Sequence, residues 1–207
     1  TVRWSVRDGC ADAAAHILRA VTSQRYFVRP VDPSAIERGL SGIDAELRRK
    51  GMAEATVKFL LDHHGNIEFE PGPGRGTWRA VPLRVLVSSD RTDAEDIFLH
   101  HKTTVRDFYH SRLAAARAAG FDEVIFRNVR GEFTEGSISN LFIRRGSRWY
   151  TPPLRCGLLP GVERAHLLAS LPAEEKLLFE SDLRSADEML LCNSVRGSGT
   201  VAHLEWN

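Results

Sequence analysis

A polar interruption near the middle of the chain constrains its fold most. Residues 89–96, which read SDRTDAED, carry neither the two-residue period of a strand nor the 3.6-residue period of a helix. A chain of 207 residues can form one core or two modest lobes, and this break favours two. We therefore predict an N-terminal lobe over residues 1–88, a linker over 89–98 and a C-terminal lobe over 99–207.

The N-terminal lobe is predicted to be a small α+β unit. Its second helix opens with Asp32-Pro33, a typical N-cap followed by proline at the first helical position. The polar residues 62–65 separate two apolar runs and predict a hairpin turn. The predicted elements are helices at 13–24 and 32–50 and strands at 55–61, 66–70 and 83–87.

The C-terminal lobe is predicted to be richer in strands. Its first helix ends at Gly120, a common C-terminal stop. Pro160-Gly161 precedes the second helix, and Ser181-Asp182 opens the third. The predicted elements are helices at 104–119, 162–170 and 181–189 and strands at 123–127, 141–144, 148–150 and 189–192.

Composition narrows the class of protein. Lys and Arg number 28 against 27 Asp and Glu, which argues against a general nucleic-acid binder, since such proteins carry a basic excess on one face. Cys10, Cys156 and Cys192 are widely spaced and suggest reduced thiols, not a disulfide framework or a zinc site. With no long apolar run and no charged-then-apolar leader, we expect a cytoplasmic protein without a membrane partner or a metal.

Lys102 and the segment 134–140, which reads TEGSISN, carry the chemistry. Taken alone, Lys102 would be a solvated surface charge and Glu135 a loop acid. An aldehyde cofactor, however, needs an amine to hold it, an acid to keep its ring nitrogen protonated and small donors for its phosphate. Lys102 supplies the amine and Glu135 the acid, so these residues point to pyridoxal phosphate.

Together with the segment 158–164 (LLPGVER), Lys102, Glu135 and Asn140 resemble the fold-type IV (class IV) aminotransferase family of pyridoxal phosphate enzymes. Within that family the likeness is greatest to aminodeoxychorismate lyases, including the lyase part of fused aminodeoxychorismate synthase–lyase proteins. The resemblance implies an α+β, two-lobe fold of the D-amino-acid aminotransferase type. Its second lobe is a β-rich pseudo-barrel with helices that binds the cofactor, and the relatives are homodimers.

The resemblance also implies a phosphate site. Arg19 matches the helix arginine that grips the cofactor phosphate in the family, although an exposed helix arginine would look the same. Gly161 and Val162 begin a helix whose free N–H groups and dipole favour an anion, and Ser194 could add a hydroxyl. Glu163 departs from the pattern, because many relatives carry a phosphate-donating threonine there. An ionised carboxylate cannot donate, so either Glu163 turns outward or cofactor affinity falls.

On the substrate side, Asn193 resembles an asparagine that aminodeoxychorismate lyases place near the substrate, and its alternative role is to cap a turn at a strand end. One serine of the 134–140 segment, Ser137, is expected to touch the substrate. Arg75 and Arg196 are further candidates for a substrate carboxylate, without motif support. Thr1 falls in the tail of a segment that opens the family fold, so the first strand of the family is expected to be missing.

Three functions follow from the resemblance. The first is conversion of 4-amino-4-deoxychorismate to 4-aminobenzoate and pyruvate in folate synthesis. The second is transamination of branched-chain or D-amino acids with the same lysine, against which no clear arginine-glycine pocket motif for a substrate carboxylate is visible. The third is a degenerate, non-catalytic family member, which the short front and Glu163 favour and the intact Lys102 and Glu135 oppose.

Overall fold

The computed structural model describes residues 1–78 and 82–207, and its chain divides into two units. The smaller unit comprises Thr1–Gly76 together with Ser194–Arg196. The larger unit comprises Thr77–Asn193 together with Gly197–Asn207. Within the described residues, no helix is both long and apolar enough to cross a membrane.

The smaller unit is a four-stranded antiparallel sheet with two helices packed together beside it. The strand order is β2-β1-β3-β4, and Trp4, Ile36 and Val57 are fully buried at its core. Asp32 caps the second helix by accepting a hydrogen bond from the Ser34 N–H at 2.9 Å, as predicted. The elements are β1 (Val2–Ser5), β2 (Gly9–Cys10), α1 (Ala13–Tyr26), α2 (Pro33–Arg49), β3 (Glu54–Leu61) and β4 (Ile67–Pro73).

The described residues of the larger unit form eight strands and three helices. Two short 3₁₀ turns, Ile97–Leu99 and Leu154–Cys156, interrupt its loops. The elements are β5 (Leu83–Thr92), α3 (Asp107–Ala118), β6 (Glu123–Asn128), β7 (Phe133–Gly136), β8 (Asn140–Arg145), β9 (Arg148–Thr151), α4 (Val162–Ser170), β10 (Ala173–Glu175), α5 (Glu180–Arg184), β11 (Glu188–Asn193) and β12 (Gly197–Trp206).

The large sheet closes on itself. Its order is β10-β9-β8-β11-β12-β5-β6-β7, and β7 also pairs with β8. Six strands, from β8 through β11, β12, β5, β6 and β7 back to β8, therefore form a ring. Apolar side chains that include Val85, Phe133, Ile143 and Leu191 fill its core. This closed, strand-rich unit confirms the predicted α+β fold with a pseudo-barrel.

The boundary between the units differs from the predicted one. We placed the end of the first lobe near residue 88 and a linker at 89–98, whereas β5 continues to Thr92 within the larger unit. Arg91 and Thr92 pair with Arg127 and Asn128 of β6 after a register shift. These polar residues remain in the sheet because a neighbouring strand holds them, and local sequence does not reveal such a neighbour.

Two helices are shorter than predicted, and several strands were not predicted. Helix α3 begins at Asp107 instead of residue 104, and α5 ends at Arg184 instead of 189. Strand β12 pairs antiparallel with β11 and parallel with β5. Residues 2–5 also form a strand, which pairs with β3.

Candidate cofactor site

Glu135 lies where the large sheet closes, because its backbone pairs with that of Asn140 at the start of β8. The residue is only 4% exposed. Its Oε2 accepts hydrogen bonds from Asn140 Nδ2 at 3.2 Å and from the Leu159 N–H at 3.1 Å. Its Oε1 is buried and forms no hydrogen bond of normal geometry among the residues that the structure describes, although the Tyr109 hydroxyl lies near enough to act on this carboxyl group as a donor and lower its pKa. One carboxylate oxygen is thus fixed and the other is available to a donor.

Burial dominates the ionisation of Glu135. Loss of hydration raises the pKa of its carboxyl group to about 7, and the positive charges of Arg106 and Lys102 oppose the rise. A carboxyl group with this pKa changes its charge near neutral pH, as acids at functional sites commonly do.

Lys102 follows the 3₁₀ turn Ile97–Leu99, which the Asp96 side chain caps. Beyond the lysine, the Thr103 hydroxyl accepts a hydrogen bond from the N–H two residues later at 3.2 Å. The Lys102 side chain is exposed, and its charge acts on Glu135. The structure therefore brings the predicted amine and the predicted acid into one electrostatic environment.

Asn140 connects Glu135 to the segment before α4. Its Nδ2 also donates to the Leu159 carbonyl at 3.0 Å, and a Cβ atom added at Gly161 would overlap its Oδ1. Only glycine therefore allows the chain to pass this close to Asn140. Gly161 is the N-cap of α4 and places no side chain over the first N–H groups of the helix, and Val162 starts the helix as a buried residue.

Glu123 holds the turn that follows Glu135. The side chain is fully buried and accepts hydrogen bonds from the N–H groups of Ser137 at 3.1 Å and Ile138 at 3.0 Å, and from the Ser139 hydroxyl at 2.9 Å. Its Oε1 also accepts from the Val124 N–H at 3.0 Å. Burial raises the pKa of Glu123, and these donors oppose the rise. One carboxyl group therefore fixes both successive amides of the turn.

Ser137 and Asn193, the predicted substrate contacts, meet at this same turn. Asn193 Nδ2 donates to the Ile138 carbonyl at 3.1 Å, which is the turn-holding role considered as its alternative. Ser137 is fully buried, and its hydroxyl has no hydrogen-bond partner within the described part of the chain.

Arg19 and Ser194, the other predicted phosphate contacts, belong to the smaller unit. Arg19 lies on α1, and its Nη2 is 3.3 Å from His16 Nδ1. Arg75 and Arg196 also lie in the smaller unit, where Arg196 donates to the Arg75 carbonyl at 2.8 Å.

Glu163 does not turn outward. Its side chain is 19% exposed, and Oε2 lies 3.9 Å from Nδ1 of His166 on the same helix. After burial, the charge of Glu163 is the next largest cause of the raised pKa of Cys192 on β11. The side chain therefore lies along α4 toward the sheet.

Three residues near Glu135 were missed by the sequence analysis: Arg106, Tyr109 and Glu123. The sequence contained one indication for Glu123. An acidic residue at the start of an apolar strand is expected to be buried, and a buried carboxyl group without hydrogen-bond donors destabilises the fold. Arg106 stands four residues after Lys102 with no local pattern that marks it. The Tyr109 hydroxyl is buried and forms no hydrogen bond of normal geometry among the described residues, but it lies near Glu135. Burial, followed by the charge of Glu135 and the interaction of the hydroxyl with its carboxyl group, raises the pKa of Tyr109.

These residues fit a pyridoxal phosphate. The unpaired Oε1 of Glu135 is a buried acceptor that a protonated ring nitrogen would satisfy, and an unpaired buried acceptor is otherwise costly. Lys102 is an exposed amine whose charge reaches that carboxyl group. The uncapped start of α4 offers N–H groups to an anion.

Comparison with known proteins places the chain in a single family. A sequence model of "Amino-transferase class IV" matches residues 67–204. A "Putative aminodeoxychorismate lyase" of Schizosaccharomyces pombe is 28% identical over 147 residues, which cover 69% of this chain and 64% of that protein. A "Probable branched-chain-amino-acid aminotransferase" of Thermotoga maritima is 32% identical over 87 residues, which cover 40% of this chain and 32% of that protein.

The fold has close structural counterparts. A crystal structure of a "Putative amino-acid aminotransferase" from Mesorhizobium loti superposes with a TM-score of 0.87 at 28% identity and covers 100% of this chain and 97% of that one. By contrast, the chain spans only about a third to two thirds of the length of the two sequence relatives.

Proposed function

Since the chain belongs to the class IV aminotransferase family, whose enzymes depend on pyridoxal phosphate, we propose that it is a 4-amino-4-deoxychorismate lyase that gives 4-aminobenzoate and pyruvate in folate biosynthesis. One observation carries the site assignment: a buried Glu135 keeps one oxygen unpaired within the electrostatic reach of Lys102. The lyase assignment is supported by the 147-residue similarity to the S. pombe protein.

Lys102 is the proposed catalytic amine. The charge of Lys102 acts on the buried carboxyl group of Glu135. Lys102 would hold the aldehyde of a bound cofactor, and its neutral amine would take the proton from the amine-bearing carbon of the substrate. A lysine does this as a neutral amine, so the reaction requires Lys102 to lose its proton at that step.

Glu135 is the proposed partner of the ring nitrogen. The bound cofactor supplies an electron sink, which is strongest when its ring nitrogen is protonated. Glu135 as a carboxylate would accept a hydrogen bond from that nitrogen and so favour its protonated form. Asn140 and the Leu159 N–H hold the other oxygen, so the carboxyl group is oriented before the cofactor arrives.

The phosphate is proposed to bind the N–H groups at Gly161 and Val162. For Arg19 and Ser194 a phosphate contact is proposed on the family resemblance alone. Glu163, in the first turn of α4, weakens this site because an acidic side chain opposes an anion there. Ser137 and Asn193 remain the proposed substrate contacts. Asn193 would also help to position Ser137 for the substrate, because its Nδ2 donates a hydrogen bond to the carbonyl of the next residue, Ile138.

A second candidate is an aminotransferase of branched-chain or D-amino acids. The similarity to the T. maritima protein favours it. The same Lys102 and Glu135 would serve both reactions, so the products and not the site distinguish them. In either case we propose a small amine or amino-acid substrate, a homodimer and a cytoplasmic location.

Borohydride reduction with pyridoxal phosphate tests the site. We expect peptide mass mapping to find one pyridoxyl group on Lys102, and Lys102→Ala to abolish it. Lys58→Ala is the matched control, because it removes an ion-paired lysine and leaves the labelling intact. Labelling spread evenly over all four lysines would refute the role of Lys102.

Product analysis then separates the functions. Pyruvate formed from aminodeoxychorismate without a keto-acid acceptor supports the lyase. Glutamate formed from an amino acid and 2-oxoglutarate supports the aminotransferase instead. Neither product from a labelled protein would contradict both assignments. A single peak of twice 23.1 kDa in sedimentation would support the homodimer.

A further inference from the structure

Arg106 contacts the turn that follows Glu135. It immediately precedes α3 and is half-buried. Its Nη2 donates to the Ser137 carbonyl at 2.5 Å, and its guanidinium carbon lies 4.7 Å from the centre of the Tyr109 ring. One side chain thus links the start of α3 to the turn that follows Glu135.

The charge of Arg106 also acts on Glu135. The charged or titratable side chains that influence this carboxyl group are Arg106, Lys102 and Tyr109, and Arg106 has the largest effect of the three. Tyr109 contributes no positive charge. A guanidinium group is a permanent charge in proteins, whereas a lysine is neutral when it acts as a nucleophile or base.

We propose that Arg106 is a positioning residue that supplies the permanent countercharge for Glu135 and ties the Ser137 turn to α3. It acts on the cofactor only through Glu135 and the turn. This inference rests on the proposed role of Glu135. When Lys102 is deprotonated, Arg106 keeps Glu135 anionic. The carboxylate can then accept a hydrogen bond from the protonated ring nitrogen of the cofactor.

The two tasks of Arg106 are separable by substitution. Arg106→Lys keeps a positive charge but loses the planar donor fork that reaches the Ser137 carbonyl. Arg106→Gln loses the charge and keeps a donor of shorter reach. If Arg106 supplies both the charge and the hydrogen bond, Arg106→Lys should keep the Glu135 pKa near its original value but should not keep the original geometry of the turn.

Helix α3, which Arg106 precedes, provides a control. Arg112 lies on α3, and its guanidinium carbon is 4.8 Å from the centre of the Phe108 ring. It forms an ion pair with Asp90 at 2.9 Å instead of acting on Glu135. Arg112→Gln therefore removes the same charge and the same type of ring contact, six residues further along the chain.

The decisive experiment is a carboxyl ¹³C NMR titration of the cofactor-free protein, with the Glu135 signal assigned by its loss in Glu135→Gln. We expect Arg106→Gln to raise the pKa of Glu135 by about one unit, as loss of a nearby opposite charge does. Arg106→Lys should recover most of that shift, and Arg112→Gln should leave the pKa unchanged. An unchanged Glu135 titration in Arg106→Gln, or an equal shift in Arg112→Gln, would overturn the inference.

Cofactor affinity gives a second readout. Fluorescence titration with pyridoxal phosphate at pH 7 should show about fivefold weaker binding to Arg106→Gln, because a one-unit rise from a pKa of about 7 lowers the ionised fraction of Glu135 from about a half to about a tenth. The loss should diminish at higher pH, where Glu135 ionises without help, and a loss independent of pH would count against the countercharge role. If borohydride fails to label Lys102 in the unmodified protein, the proposed function fails, and the NMR titration still decides whether Arg106 controls Glu135.

Discussion

At the scale of single residues, the site depends on one buried acid whose surroundings do not fully satisfy it. Glu135 receives two hydrogen bonds on one oxygen and none of normal geometry from the described residues on the other. Such a group reduces the stability of the cofactor-free fold, since a buried carboxylate loses hydration that it does not regain. The arrangement is favourable only when a donor is bound, which is the usual trade between stability and function.

Glu135→Gln should change stability with a definite dependence on pH. The folded pKa of Glu135 is raised from 4.5 to about 7, so its stabilising contribution is present below pH 4.5 and is lost as pH rises toward 7. Compared with the unmodified protein, the cofactor-free variant should therefore gain stability between pH 5 and pH 8. Urea denaturation at the two pH values measures the difference.

Glu132→Gln provides a control, because the stability of this variant should depend on pH in the opposite direction. Arg130 lowers the pKa of Glu132, so Glu132 stabilises the fold above its unfolded pKa and loses that contribution as pH falls. The destabilisation by Glu132→Gln should be full at neutral pH and should shrink in acid. The same pH trend in both variants would contradict the assigned pKa directions.

The sequence identified Lys102 and Glu135 as candidates because their residue types match the needs of an aldehyde cofactor. It did not identify Arg106, Tyr109 or Glu123. Arg106 reaches Ser137, which is 31 positions along the chain, and Glu123 contacts residues 14 to 16 positions away. Contacts of this length are set by how strands and helices meet, and local patterns do not record them.

At the scale of elements, the turn between β7 and β8 is held by donors and acceptors from three other segments. Glu123 at the start of β6 binds its amides, Asn193 at the end of β11 binds the Ile138 carbonyl and Arg106 binds the Ser137 carbonyl. The turn is therefore rigid before any ligand binds. Predefined geometry of this kind reduces the entropy that ligand binding must overcome.

Glu123→Gln should destabilise the protein by about 1.5 to 3 kcal/mol, the range for hydrogen bonds to a charged group. The amide of glutamine presents donors where Glu123 accepts from several donors at once. Thermal unfolding measures the change. Ser139→Ala removes one donor only and should cost less; a larger effect of Ser139→Ala would show that Glu123 is not the anchor.

A pair of glycine substitutions tests the contact between Asn140 and α4. Gly161→Ala places a methyl group on Asn140 Oδ1, so we expect lower stability and weaker cofactor binding. Gly42→Ala in α2 meets no atom within 4 Å and should stabilise the protein by roughly 0.5 to 1 kcal/mol, because alanine favours a helix over glycine. Denaturation midpoints of the two variants should move in opposite directions.

Elements with strong local patterns were predicted well, and those defined by distant partners were not. Helices α1, α2 and α4 and the β3–β4 hairpin lie where periodicity and turn residues placed them. Strand β12 was missed because its first residues, Gly197, Ser198 and Gly199, indicate a loop. They form a strand because β11 lies beside them. The polar end of β5 was read as a linker for the same reason.

At the scale of the whole molecule, cofactor binding should appear as global stability. A ligand that binds only the folded state at 100 times its dissociation constant adds about 2.7 kcal/mol. For a chain of this size, that corresponds to a rise of roughly 5 to 10 °C in the unfolding temperature. We expect this rise with pyridoxal phosphate and a smaller one with pyridoxal, which lacks the phosphate. Equal shifts for both compounds would contradict the phosphate site at α4.

The parallel pairing of β5 with β12 has a consequence for synthesis of the protein. Leu83–Thr92 and Gly197–Trp206 are neighbours in the ring but lie more than a hundred residues apart in the chain. While a ribosome is still translating the region between them, β5 has an open edge on the side that β12 will cover. Nascent chains therefore expose an unpaired apolar strand that chaperones can recognise. A truncated product that ends before residue 197 lacks β12, so its sheet cannot close and it is a target for proteolysis.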